Sequence, residues 1–224
     1  NRDEMKNRQS LTPARHWPDR SHVTAGMDQE GGGTWLAVSD DRLISTVLNR
    51  ECSLGPLPGK RSRGELPLEA MDHAEARIAA GALKLLEPTS YRTFNLIIAD
   101  SREAFWLRSD ATRIDKAEIP EGLSMVTSHD LNDTNGSERI RFYLPRFRAA
   151  SPPEPETDNW RAWETLLAST KAENDINYEG ALNIETTHGF GTVSSSILAL
   201  PAPTLYGVKP IWRFCAGPPK SLPY

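Results

Sequence analysis

Apolar positions along this chain cluster in short runs of strand length, separated by longer stretches in which they recur at helical spacing. Residues 34–39 (TWLAVS) predict a strand, Asp40-Asp41 a turn, and 42–48 (RLISTVL) the returning strand. Residues 94–99 (FNLIIA) and 104–108 (AFWLR), flanking Asp100-Ser101-Arg102-Glu103, predict a second hairpin. Further strands are predicted over 122–129, 188–200 and 209–215. The clearest helix is predicted over 67–87. Pro67 suits its first turn, Glu69 and Asp72 its N-terminal dipole, and Pro88 its end. Leu68, Met71, Ala74, Ile78, Ala82 and Leu85 make its apolar stripe, with Glu75 at the edge and His73 in solvent. Helices are also predicted over 137–149, interrupted by Pro145, and from an Asn159 cap through Thr170. Trp160, Trp163, Leu166 and Leu167 form the apolar face of the last, with both tryptophans read as core. Residues 5–25, rich in Arg, His and Pro, predict an irregular loop, with Trp17 kept from helix by Pro18. Residues 51–67 read as a surface connection and 152–158 as a linker-like loop. Hairpins interrupted by amphipathic helices indicate an α+β architecture of antiparallel sheets.

Composition narrows the class. The chain has 224 residues, which favours one large domain over 1–224. Hydrophobic residues make up 38% and the mean hydropathy is −0.52, the range of a polar globular chain. Lys and Arg total 26 against 30 Asp and Glu, a formal −4, so no chain-wide footprint for nucleic acid is present. The two cysteines, Cys52 and Cys215, read as free thiols in a reducing compartment, which predicts a cytoplasmic protein. No apolar run approaches the ~20 residues of a membrane span.

The organising stretch is 26–50. Asp28 and Glu30 precede Gly31, Gly32 and Gly33, and glycines let a backbone or ligand approach closely. The stretch reads either as the wall of a pocket or as a sharp turn into the hairpin. Lys60 and Arg61 read as solvated, whereas Arg63 is a candidate lip for a carboxylate or phosphate. His16 and His22 have no acidic or thiol partner at ligand spacing, so no metal site is expected.

The chain opens Asn1-Arg2-Asp3-Glu4, continues to Trp17, then AGMDQEGGGTW, Leu48-Asn49-Arg50 and Ser62-Arg63-Gly64. This ordered set resembles the NRDE family, also called the transport and Golgi organisation two family. The likeness is dense over 1–64 and looser at 126–133 and 189–198. The resemblance implies a four-layer αββα sandwich similar to N-terminal nucleophile hydrolases. It also implies a domain lacking its first strand, because family members carry a Met-Cys strand before NRDE.

An amidohydrolase of that type attacks with a cysteine thiolate. Here the cysteine would lie upstream of Asn1, so the chain as it stands is expected to be inactive. By resemblance, Arg2 would stabilise the thiolate or bind a substrate carboxylate, Asp3 would orient the amine, and Asn132 would donate to the oxyanion. Glu4 would hold Arg2 or cap a backbone amide. Asn1, Glu4, Asp28, Gly32, Trp35, Asn49 and Arg63 would bind ligand. Two departures weaken hydrolysis. The family's oxyanion Asn falls on Asp133, with Asn132 one place early, and Val193 stands where the family has Arg.

Three function classes follow from the resemblance. The leading one is binding or trafficking of a small hydrophobic anion, haem or acyl in character. The others are amide hydrolysis and a partner-binding role in secretory organisation. Haem is the candidate cofactor, with His129, His188, Cys52 and Met125 as axial candidates. Cys52 as a substitute nucleophile is set aside, since no histidine neighbours it in sequence.

Overall fold

The computed structural model describes residues 1–173 and 180–224. Two antiparallel sheets carry the architecture. Seven strands lie in sequence order: β2 (Ser10–Ala14), β3 (Val23–Asp28), β4 (Leu36–Ser39), β5 (Ile44–Asn49), β6 (Phe94–Ala99), β7 (Ala104–Ser109) and β8 (Ile114–Glu118). The second sheet has three, in the order β1 (Arg2–Met5), β9 (Phe190–Ala199) and β10 (Ile211–Cys215). The described residues also form four α-helices, α1 (Leu66–Ala70), α2 (Ala76–Leu83), α3 (Glu138–Ala149) and α4 (Arg161–Leu167), and four short 3-10 turns. The chain is thus a mixed α and β protein of antiparallel sheets.

Both predicted hairpins form. Leu36 pairs with Thr46 and Val38 with Ile44, and the tight corner places Arg42 at φ 68°. In the second hairpin Ala99 pairs with Ala104. Asp100 closes its turn, accepting from the amides of Arg102 (2.8 Å) and Glu103 (3.1 Å). Val23, Ala25, Ala37, Ile98, Phe105 and Leu107 bury their side chains in one core with Leu68, Ala79, Ala80 and Leu83 of α1 and α2. The other two helices meet the small sheet. Arg139 of α3 pairs with Asp3 of β1, and Glu164 of α4 with Arg213 of β10.

Several expectations are corrected. Residues 5–25 are not one loop but include β2 and the first half of β3. Their strand character was masked by Pro13, which an edge strand tolerates because its outward N–H has no partner to lose. The helix over 67–87 is broken. His22 bonds the Met71 carbonyl (3.0 Å), Arg20 grips Asp72 through two 2.9 Å contacts, and Asp100 accepts from the Ala76 amide (2.9 Å). These tertiary partners draw 71–75 out of the helix and restart it in a different phase. The predicted stripe fails in its second half accordingly. Ile78 is 55% and Leu85 84% exposed, while Ala76, Ala79, Ala80 and Leu83 are buried.

Residues 122–129 form no strand. The carbonyls of Thr127 and His129 accept from the side chain of buried Asn95 (2.8 and 2.7 Å) instead of from a neighbouring strand. The edge of the large sheet opposite β2 is β8, which charged Asp115, Lys116 and Glu118 concealed. Trp160, not Asn159, occupies the N-cap position of α4, which ends at Leu167. Helix α3 runs through Pro145 without interruption and is capped by Ser137, which accepts from the Ile140 amide (3.2 Å). Trp160 is buried, and Trp163 packs edge-on against Phe147 at 5.2 Å.

Candidate functional site

Strand β1 decides where the opening residues go. Successive strand side chains point to opposite faces, and Arg2 and Asp3 have separate sets of partners. The Arg2 guanidinium lies over the Trp35 ring, 4.1 Å from its centroid, and Nη1 donates to Ser10 Oγ (3.0 Å). Its side chain is 9% exposed, and its nearest carboxylate, Glu4, stands at 4.0 Å. Burial lowers the Arg2 pKa, with Glu4 and Asp28 opposing that shift. Asp3 turns the other way. Its Oδ2 accepts from Arg139 (3.1 Å) and its Oδ1 from Thr192 Oγ1 (2.7 Å). A register shift between Arg2 and Asp3 lets Arg2 face Ser194 and Asp3 face Thr192, so Val193 is the extra residue of a bulge. Asn1 donates to the carbonyls of Leu167 (2.9 Å) and Leu182 (2.6 Å) and accepts from Ser195 Oγ (2.6 Å).

The glycine-rich stretch meets β1 through Trp35. A Cβ on Gly26 would come within 2.5 Å of the Trp35 ring, so that residue must lack a side chain for the indole to lie there. Gly33 touches Gly64 backbone to backbone, and the Thr34 amide donates to the Gly64 carbonyl (2.9 Å). Asp28 accepts from the amides of Glu30 and Gly31 (3.1 and 3.2 Å) and binds Arg8 at 2.8 Å. Despite its burial, Arg8 is held more basic than usual by the hydrogen bond to Asp28 and the charges of Asp28, Glu4 and Glu30. Trp17 Nε1 reaches the Gly32 carbonyl (3.3 Å).

Among the described residues Arg63 has no carboxylate within ion-pair distance, although the charge of Glu4 acts on it. Nη1 donates to Ser53 Oγ (2.8 Å) and the Thr93 carbonyl (2.9 Å), and Nη2 to the Gly55 carbonyl (3.2 Å). Burial, and then the charge of Arg92, push its pKa down to about 10.

The matched segments therefore form one knot. Arg2, Gly26, Trp35, Gly33 and Gly64 interlock by direct contact, with Asp28 tied to Arg8 beside them. Asn49 lies at the end of β5, opposite Phe94. Asn132 lies in the loop after residue 122, at φ 56°. Its Nδ2 donates to Ser124 Oγ (3.1 Å) and its Oδ1 accepts from the Met125 amide (2.8 Å). Asp133 caps the following turn through the amides of Asn135 and Gly136. Neither residue contacts Arg2 or Asp3.

Of the axial candidates, His129 binds Glu51 (3.1 Å) next to exposed Cys52, whereas His188 is exposed beside the small sheet. His16 and His22 each bond a backbone carbonyl, of Thr12 and Met71. No group of three or more His, Cys, Asp or Glu among the described residues is placed to hold a metal. Both cysteines are free, Cys52 exposed and Cys215 buried.

A hollow lies elsewhere along the same strands. A cleft of about 370 Å³ is lined by Thr24 of β3, Val38 and Ser39 of β4, and Pro210 and Trp212 from the small-sheet side, with Arg15, Asp40 and Lys209 at its rim. Trp212 is fixed by donating Nε1 to Ser196 Oγ (3.1 Å). Arg15 is matched by Asp40 through contacts of 2.8 and 2.9 Å. Lys209 is exposed and has no carboxylate partner among the described residues. The wall mixes apolar Val38, Pro210 and Trp212 with the hydroxyl residues Thr24 and Ser39, and among the described residues Lys209 is the rim charge without a carboxylate partner.

The model of the family described as Transport and Golgi organisation 2 matches residues 1–202. The chain belongs to that family. No curated protein matches it. Within the Transport and Golgi organisation 2 match lie the whole signature knot and the β3–β4 wall of the cleft, while Lys209, Pro210 and Trp212 lie beyond residue 202. No helix of the described residues is long and apolar enough to cross a membrane.

Sequence reasoning missed Arg8, Arg139 and Thr192, which fix Asp28 and Asp3. It also missed the cleft residues. Arg8 was hidden by reading 5–25 as a loop. Arg139 and Thr192 meet Asp3, and Trp212 meets Val38 in the cleft, across more than a hundred residues of chain, and no local pattern reports such pairings.

Proposed function

We propose that this chain binds a small hydrophobic anion in the cleft between its two sheets. The observation that carries this reading is the cleft's composition: Val38, Pro210 and Trp212 as its apolar walls beside the hydroxyl residues Thr24 and Ser39, with Lys209 at the mouth. Ligand sites are mostly apolar hollows with few oriented polar groups, commonly about 300–1,000 Å³. A cleft of 370 Å³ is at the small end of that range. It suits an acyl chain or a single-ring body better than a haem macrocycle. The signature residues act here as the brace that holds β1 and the glycine-rich turn in place, rather than as the ligand's direct contacts.

The packing also supports a four-layer αββα sandwich of the N-terminal nucleophile hydrolase type, in a single domain over 1–224. Helices α1 and α2 cover one side of the large sheet, α3 and α4 contact the small one, and the two sheets share the cleft. Two free thiols fit a cytoplasmic setting.

Amide hydrolysis is the second reading. It is favoured by Asp3, whose carboxylate is clamped between Arg139 and Thr192 as an orienting group must be. Against it stands Asn132, engaged with Ser124 and Met125. A partner role in secretory organisation rests on family membership alone.

Titration with 11-(dansylamino)undecanoate, followed by dansyl fluorescence, tests the leading reading. Saturable micromolar binding is expected, weakened about tenfold by Lys209→Glu and abolished by Val38→Phe, which fills the cleft. No saturable binding by the unmodified protein overturns the reading. A haem titration that produces no Soret shift at micromolar protein removes haem. A chain carrying the family's Met-Cys segment that cleaves acyl-amides, while its Cys→Ala form does not, establishes the second reading.

A further inference from the structure

Two arginines bond one loop and a lysine lies on the adjoining segment, none of the three in an ion pair with a carboxylate among the described residues, with Glu4 the acidic group whose charge acts on Arg63. Arg63 donates to Ser53, Thr93 and Gly55. Arg92 donates to the carbonyls of Cys52 (2.9 Å), Leu54 and Gly55 (3.1 Å). Lys60 donates to the Thr89 carbonyl. The segments run side by side, since the Arg61 amide bonds the Ser90 carbonyl (2.8 Å). Arg61 itself is matched by Glu65 and Glu69 and adds no free charge. Every contact of the other three is to a neutral oxygen, and both arginines bond the same Gly55 carbonyl. Among the described residues, none of the three has a carboxylate within ion-pair distance.

This arrangement is unusual on elementary grounds. Carbonyl oxygens satisfy N–H donors but leave the charge in place, and like charges at close range oppose one another. The cost is visible in Arg63, whose pKa falls to about 10 through burial first and the proximity of Arg92 second, with the charge of Glu4 only partly opposing them. The loop carbonyls of Cys52, Leu54 and Gly55 accept arginine hydrogen bonds that the oxygens of an oxyanion could accept in their stead. Bidentate arginine pairing with phosphate is geometrically matched and roughly twice as strong as a neutral hydrogen bond.

We propose that Arg63, Arg92 and Lys60 form a binding site for a multiply charged oxyanion, a phosphate or pyrophosphate group, covered in this structure by the loop carbonyls of residues 52–55. Binding exchanges neutral acceptors for charged ones and frees the loop. The site is separate from the cleft between the sheets, and shares no lining residue with it.

The test is calorimetric titration of the full chain with inorganic pyrophosphate at physiological salt, with limited proteolysis of the loop as a second readout. Expected results are saturable binding, about tenfold weaker in Arg92→Gln and in Lys60→Gln, and unchanged in Lys84→Glu at the exposed position just after α2. Cleavage within 51–59 should accelerate when pyrophosphate is bound, because the carbonyls lose their arginine partners. An ion held only by general charge would weaken equally in Lys84→Glu and leave cleavage unchanged, which overturns the proposal. So does an absence of binding, or binding that Arg92→Gln does not alter. Arg92 and Lys60 are chosen because Arg63→Gln removes a half-buried brace. Dansyl-acid binding by the cleft should be the same in all these variants.

Discussion

Gly33 and Gly64 meet backbone to backbone: a Cβ on Gly33 would sit 2.5 Å from the carbonyl carbon and oxygen of Gly64. That contact joins the glycine-rich turn to the Ser62-Arg63-Gly64 segment, thirty residues later, and no side-chain rotation relieves it. Gly33→Ala is therefore expected to destabilise the protein by about 2 kcal/mol or more. Gly31, whose Cβ would meet atoms only at 3.5 Å and beyond, should accept alanine within about 1 kcal/mol. Urea denaturation of the two variants separates the cases. Equal stability would show that the close approach is not required.

The Arg2–Trp35 stack should be measurable as a coupling. A double-mutant cycle with Arg2→Met and Trp35→Leu is expected to give an interaction of about 1 kcal/mol, because the guanidinium is largely removed from water over the ring. A coupling near zero would mean the two side chains are only neighbours.

Tyr91 predicts a stability change at alkaline pH. It is 1% exposed, its hydroxyl has no hydrogen-bond partner among the described residues, and burial, with Glu69 adding to it against Arg61, raises its pKa to about 12. Tyr224 is raised to about 12 as well, chiefly by burial. A tyrosine that holds its proton more tightly when folded contributes fully below the unfolded pKa near ~10. That contribution is lost as the pH rises from there through about 12. Unfolding free energy should fall across this window, and Tyr91→Phe should flatten the fall. At neutral pH Tyr91→Phe should be neutral or stabilising by up to about 1 kcal/mol, since it removes a buried unpaired hydroxyl.

The phase of α2 predicts which substitutions matter there. Ile78→Gln and Leu85→Gln should change stability by no more than about 0.5 kcal/mol, because both side chains lie in solvent. Ala79→Leu, inserted between α2 and the large sheet, should cost about 1–3 kcal/mol. Thermal melts of the three variants decide between this packing and the continuous helix that the 67–87 periodicity suggests.

The sequence by itself determined the two hairpins, β9 and β10, helix α3 and the family. Those features rest on local physics: alternation with period two, turn chemistry at Asp40-Asp41 and Asp100, the Ser137 cap, and a motif order readable from 1 to 64. It left undecided whatever depends on partners distant in the chain. The break in the 67–87 helix is drawn out by Arg20, His22 and Asp100. The would-be strand over 122–129 is claimed by one side chain, Asn95. Arg2 and Asp3 are adjacent in sequence, and the family resemblance assigns both to one site, yet the pleat of β1 sends them to opposite faces. The cleft draws its walls from β3, β4 and β10, more than 170 residues apart, and only the packing of one sheet on the other brings Val38 and Trp212 to the same hollow.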